Sequence, residues 1–278
     1  MNLILLKSEE VSSDGKSCDL SAKDNRSKHI LGHLRKRRGD KVSVGIIGSG
    51  RGKAVVEKID GGALRLALSD VEADDRCGED VTLLVAMPFP KRLKALWAVA
   101  ASFGVCRIVV LKGELSDKDH CSSSALQPHV YEKLVVEGMS QGGHTTPVKV
   151  HVDVQHDVSK DSLHKLAFSH DAAKIFLDCG DEQTQPPPAR QVVLDKLKPQ
   201  HAPKAIIAVG PERGWTQREA EIFHDSGFHA ATLGPSILRV DTAVVASLAI
   251  VTAALQEATQ QQQQQQKDDN ANKRTKLA

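Results

Sequence analysis

The rhythm of apolar positions changes once along the chain, near residue 80. Upstream, "DKVSVGIIG" (40–48), "GKAVVEKI" (52–59) and "GALRLALSDVE" (62–72) alternate or cluster apolar residues in short runs. "GSGRG" (48–52) and Gly61-Gly62 separate them. Such runs joined by glycine-rich turns predict a β meander, so residues 1–76 are expected to form a small β domain. The acidic stretch "EADDRCGED" (72–80) is the expected domain boundary. Downstream, strands alternate with helices. Strands are predicted at "VTLLVA" (81–86), "CRIVVL" (106–111), "PVKVHV" (147–152), "AKIFLD" (173–178), "KAIIAVG" (204–210) and "HAATLG" (229–234). Helices are predicted over 91–104, about 126–141, 159–170, from Thr216, and about 240–258. This alternation predicts an α/β domain with a largely parallel sheet over 77–258. "EQTQPPPARQ" (182–191) reads as a surface loop, because its prolines continue neither kind of element. Seven glutamines (260–266) and "KDDNANKRTKLA" offer no apolar residue to bury, so 259–278 is expected to be a disordered tail.

Composition narrows the classes of function. Aromatics make up 3% of residues, too few for a ring-stacking nucleic-acid platform. The net charge of +2 means that any electrostatic partner meets a local patch. No apolar run of 18 residues is present, so no membrane span is expected. The start "MNLILLKSEE" has neither the long apolar core of a signal peptide nor the character of a transit peptide. A cytoplasmic location is therefore expected, with an organelle as the alternative. Cys18, Cys77, Cys106, Cys121 and Cys179 include no CxxC pair and read as reduced thiols. The twelve histidines show no ligand spacing, and no metal is expected.

Three stretches carry candidate chemistry. Between Lys23 and Lys41, eight Lys/Arg face only Asp24 and Asp40, with Arg35, Lys36, Arg37 and Arg38 consecutive. Charge alone suits a phosphate backbone or a solvated face about equally, and the density of Arg35 to Arg38 favours nucleic acid modestly. "GSGRGK" (48–53) lacks phosphate-loop spacing, with Ile47 at the first glycine position and Ala54 at the Ser/Thr position, and reads as a hairpin turn. "AVGPERGWTQREAEIF" (208–223) runs from a strand through Gly210-Pro211-Glu212-Arg213-Gly214 into a helix that Thr216 and Glu219 cap. "LGPSILRVDTAVVASLAIV" (233–251) repeats the strand-Gly-Pro style. Its Arg239 and Asp241 are the only charges before an apolar helix. Two such loops at the carboxyl edge of a parallel sheet are placed to hold a ligand. Strand-to-helix packing alone explains the first loop equally well, and Asp241 reads either as a helix cap or as catalytic.

Together these stretches resemble the RsmE-type small-subunit rRNA uridine-N3 methyltransferases of the SPOUT superfamily. "VGPERGW" (209–215) and "LGPSILRVDTA" (233–243) are similar to that family's paired cofactor loops. "HILGHLRKRRGDKVSV" (29–44), "MPFPKRLKALWAVAASFGVCRIVVL" (87–111) and "VEGMSQGGHTTPVKV" (136–150) resemble its other motifs in the same order. The resemblance implies a PUA-like β-barrel that grips RNA, followed by a SPOUT α/β domain with a trefoil knot. It implies S-adenosylmethionine as methyl donor, ribosomal RNA as partner, and a homodimer with active sites near the subunit interface. Gly210, Pro211, Glu212, Gly214, Leu233, Gly234, Ile237 and Leu238 would bind the cofactor. Arg239 would stabilise the uracil anion, and Asp241 would accept its proton or orient Arg239. Arg35, Lys36, Arg37, Arg38 and Lys91 would contact RNA. The chain departs from the family pattern at Arg213 (glycine there), Asp241 (glutamate), His144 (arginine) and Ser140 (an acid). "KGELSDKD" (112–119) also lacks the family's Arg-Ser pair. These departures leave two alternatives beside the leading reading: an RNA-binding protein without catalysis, or an enzyme acting on another RNA.

Overall fold

A computed structural model describes residues 3–73, 80–180, 185–198 and 201–276. Five strands form the N-terminal sheet: β1 (Ile4–Leu6), β2 (Ser17–Leu20), β3 (Lys41–Ile46), β4 (Gly50–Asp60) and β5 (Ala63–Ala73). Their order is β1-β3-β4-β5-β2, with only β1 and β3 parallel. The expected meander is β3–β4–β5, and the "GSGRG" segment begins in the β3–β4 hairpin, where Ile46 faces Gly50. Alternate residues Val42, Val44, Ala54, Val56, Leu64 and Leu66 turn inward and pack with Ile30 and Leu20. The meander reading omits β1 and β2, each too short to show a period, and the helical segment of α1 (Asn25–Lys28) and the turn His29–His33.

The second unit begins with β6 (Asp80–Ala86), α2 (Pro90–Ser102), β7 (Arg107–Lys112), α3 (Pro128–Gly142) and β8 (Lys149–Asp157). It continues with α4 (Lys160–Lys165), β9 (Ala173–Leu177), α5 (Ala189–Lys196), β10 (Lys204–Val209), α6 (Gln217–Asp225), β11 (His229–Ala231) and α7 (Val240–Lys276). The six strands are parallel, in the order β11-β9-β10-β6-β7-β8. Leu83, Val85, Ile108, Val110, Ile207 and Val209 turn to one face, into the larger core with Trp97, Met139, Val193 and Leu248. Leu84, Val109, Leu111, Phe176, Ile206 and Ala208 turn to the other, against Ile222, Phe223 and Phe228. Burial on both faces is why these strands read as continuous apolar runs.

β1 serves two cores. Ile4 and Leu6 point into the N-terminal core, while Leu3 and Leu5 belong to the larger one. The Leu3 amide donates to the Ser140 carbonyl at 3.0 Å, and Ser140 Oγ donates to the Leu3 carbonyl at 2.6 Å. Ser140, a departure from the family pattern, thus joins the two units.

Three expectations need correction. The 182–191 segment is not a loop throughout, because α5 starts at Ala189 directly after Pro188. The last proline introduces the helix rather than excluding it; residues 181–184 lie outside the described residues, as do 74–79 of the expected boundary. The helix expected over 159–170 ends at Lys165, and Ala167 follows in the left-handed region at φ 48°. The tail expected to be disordered continues α7 as helix to Lys276. Gln is a good helix former, and nothing between Ala258 and Lys276 breaks a helix already nucleated by a buried segment. Val244, Leu248, Val251 and Leu255 form that buried stripe. By length and composition Val240–Asp268 suffices to cross a membrane, contrary to the sequence expectation, but its apolar face packs in the larger core.

Candidate active site

At the carboxyl ends of β9, β10 and β11, three loops enclose a cavity of about 370 Å³. All eight residues expected to bind a cofactor line it: Gly210, Pro211, Glu212, Gly214, Leu233, Gly234, Ile237 and Leu238. The reversal of strand order between β10 and β6, where helices leave on opposite faces, adjoins this edge.

The loop after β10 is a tight turn closed by the Gly214 amide donating to the Pro211 carbonyl at 2.9 Å. Gly214 takes φ +74°, which favours glycine. A Cβ on Gly210 would stand 3.2 Å from the Gly214 carbonyl carbon, so the turn folds back onto its own start. Arg213 is outside the left-handed region, so replacing the family glycine there costs no backbone strain. Its side chain is exposed, lines the cavity, and has no hydrogen-bond or ion-pair partner among the described residues.

Behind the turn, Thr216 and Glu219 form the expected capping box. Thr216 Oγ1 caps the Glu219 amide at 3.2 Å, and Glu219 Oε2 accepts from the Thr216 amide at 2.9 Å. Glu219 is fully buried, and its other oxygen accepts from the Glu114 amide at 3.0 Å. Glu114 in turn accepts from Thr216 Oγ1 at 2.8 Å and pairs with Arg218. Glu114 therefore ties the β7 loop to α6 in the segment that lacks the family's Arg-Ser pair.

A second chain of charges connects the cavity to the start of α7. Glu212 Oε1 accepts from the Phe89 amide at 3.0 Å and from Arg92 Nη1 at 2.7 Å. Arg92 lies over the Phe89 ring at 5.2 Å, and its Nε stands 3.9 Å from Asp241 Oδ1. Both Asp241 oxygens accept from Arg239, at 3.2 and 3.0 Å. Arg239 and Asp241 are absent from the cavity lining and sit beside it, at the start of α7. Ala243 donates its amide to the Arg239 carbonyl, so Arg239 occupies the capping position and Asp241 the first turn. Asp241 is the dipole partner expected, but not the cap.

The cavity is large enough for a small ligand. Its volume lies within the usual range for small-ligand sites. Among the described residues, the amides of Leu233, Ile237 and Leu238 donate to no protein acceptor, leaving backbone donors for the edge of a base. No three His, Cys, Asp or Glu side chains cluster to hold a metal among the described residues.

The expected RNA contacts lie elsewhere. Arg35, Arg37 and Arg38 are exposed and Lys36 half-buried on the N-terminal unit, and none lines the cavity. Arg26, counted in the same basic run, is committed to structure. It pairs with Glu10 at 2.6 Å and Asp24 at 2.7 Å, and donates to the Leu5 carbonyl at 2.8 Å. Hydrogen bonds from Arg26 hold both carboxyls below their usual range. Lys91 is exposed in the first turn of α2. His144 lies 3.1 Å from the Ser102 carbonyl, away from the cavity. The sequence reading missed Arg92, Asp178, Cys179, Trp215 and Thr232. Only Arg92, adjacent to Lys91, carried a usable signal, a cation opening a helix after a strand.

A parallel sheet with a cavity at its carboxyl edge and an arginine–carboxylate pair beside it defines an α/β domain with a candidate ligand site. The chain belongs to the RNA methyltransferase domain family, which matches residues 76–252. It is similar to ribosomal RNA small subunit methyltransferase E of Treponema pallidum, at 27% identity over 91% of each chain. It is also similar to ribosomal RNA small subunit methyltransferase E 1 of Borreliella burgdorferi, at 25% identity over 91% of this chain and 98% of that one. Its fold resembles that of ribosomal RNA small subunit methyltransferase E from Neisseria gonorrhoeae bound to S-adenosyl methionine, with TM-score 0.64 and 21% identity. That likeness covers 90% of this chain and 97% of the other.

Proposed function

We propose that this protein transfers a methyl group from S-adenosylmethionine to N3 of a uridine in small-subunit ribosomal RNA. The observation that carries the proposal is the convergence of all eight motif residues on one cavity in a chain of the RNA methyltransferase family. S-adenosylmethionine, when bound, supplies an electrophilic methyl group on its sulfonium. The amides of Leu233, Ile237 and Leu238, which have no protein acceptor among the described residues, would hold the adenine edge, and Gly210 lets the turn fold back onto Gly214. Glu212, fixed by Arg92 and the Phe89 amide, keeps that turn in place, so that donor and acceptor meet in line. Arg239 stabilises the negative charge on the uracil ring as the N3 proton leaves to solvent. Asp241, both of whose oxygens accept from Arg239, orients the guanidinium.

In the same reading, the N-terminal unit is a PUA-like barrel whose Arg35–Arg38 loop, with Lys91 from α2, contacts RNA. The loops 210–216 and 232–239, with the start of α7, form a SPOUT trefoil knot. The protein works as a homodimer. Supporting this, Ile237 is 88% exposed at the cavity lining, and Phe89 and Val245 are further exposed apolar positions of the same unit. The cytoplasm is its proposed compartment. Mass spectrometry of nucleosides from small-subunit rRNA, with and without the gene, tests the reaction. N3-methyluridine should disappear with the gene, and an unchanged level rejects this substrate.

A further inference from the structure

Three charged residues line the cavity: Asp178, Glu212 and Arg213. Asp178 accepts from the Gly180 amide at 3.0 Å. Glu212 is neutralised by Arg92 at 2.7 Å. Arg213 alone is a cation, and it is unpartnered among the described residues. Its backbone is fixed on both sides. Glu212 is pinned to the start of α2, and the Gly214 amide closes the turn. The guanidinium is thus free on a rigid mount facing a ligand cavity.

A free arginine close to a sulfonium raises the energy of the bound donor by like-charge repulsion unless an anion lies between them. The donor itself carries one, the α-carboxylate of its methionine portion. Guanidinium and carboxylate match in charge and in two-pronged geometry. We propose that Arg213 anchors the α-carboxylate of the methyl donor, as a donor-positioning residue. This rests on the methyltransferase reading of the cavity.

Calorimetric titration with S-adenosylmethionine and with its decarboxylated analogue, which differ only in that carboxylate, tests the assignment. Arg213→Gly and Arg213→Gln should each weaken S-adenosylmethionine about tenfold, close to 1.4 kcal/mol, and bind the analogue as tightly as the unaltered protein or more tightly, because the analogue has no anion to offset the guanidinium. Arg213→Lys should recover part of the loss. Equal affinity of both variants and the unaltered protein for S-adenosylmethionine overturns the assignment. So does a parallel loss for both ligands, which marks damage to the turn. A loss confined to RNA binding also overturns it, because the arginine then meets a phosphate. If the unaltered protein binds neither ligand, the methyltransferase reading fails along with the assignment.

Discussion

Glu212 bears most directly on how the cavity is held. Its single oxygen Oε1 accepts two hydrogen bonds, from the Phe89 amide at 3.0 Å and Arg92 at 2.7 Å. The side chains of the ion pair are 21% and 22% exposed, between a surface and a buried pair. Glu212→Gln keeps an oxygen for the Phe89 amide and removes the charge, and should cost about 1 kcal/mol. Glu212→Ala removes both hydrogen bonds, strands the amide and the guanidinium, and should cost about 2 kcal/mol. For a domain of this size that lowers Tm by roughly 4–8 °C. Because the cavity turn then loses its anchor to α2, donor affinity should fall about tenfold in the alanine variant and less in the glutamine variant. Thermal unfolding and calorimetric titration with S-adenosylmethionine give both readouts. An Arg92→Met cycle should show coupling of about 1 kcal/mol. If Glu212→Ala unfolds with the unaltered protein and binds the donor as tightly, the turn holds itself, and the tie to α2 is incidental.

Arg239→Ala should reduce single-turnover methyl transfer about 10²–10³-fold and leave donor affinity nearly intact, and a parallel loss of affinity would contradict the role assigned. Neutralising Arg35, Lys36, Arg37 and Arg38 together should weaken RNA binding and flatten its dependence on salt, by about 0.7 in log–log slope for each phosphate no longer neutralised. An unchanged slope identifies the loop as a solvated face. Glu10 and Asp24 titrate below their usual range because Arg26 hydrogen-bonds them. Their stabilisation is complete above the unfolded carboxyl range near pH 4–4.5 and is lost as pH falls through the lower folded values. Urea unfolding from pH 6 to 3 should therefore show a steep loss of stability that Arg26→Met flattens. Parallel profiles for the two proteins would refute this account.

The cavity was legible in part, because most of its residues come from two short local motifs, each following a strand, while the third loop, with Asp178 and Cys179, carries no motif of its own. Arg92 was not, since its partners Glu212 and Asp241 are more than a hundred residues away, and only the fold brings them together. The sheet could be read because its central strands are buried on both faces. β1 could not, because three residues shared between two cores show no period of their own. α5 was hidden by the prolines before it, which mark a helix start as readily as a loop. The end of α7 was misread for a different reason. Composition shows whether a segment can bury itself, but a helix started elsewhere continues into residues that bury nothing.

The double duty of β1 sets the mechanics of the molecule. One short strand contributes alternate side chains to both cores, so neither unit can tilt or open without breaking the packing of the other. The basic loop and the cavity are therefore fixed relative to each other like the two jaws of a caliper. If, as proposed, the first jaw grips RNA, only the nucleotides that lie at that span reach the second, and the distance between the two sites would then select the target independently of how either site reads a base.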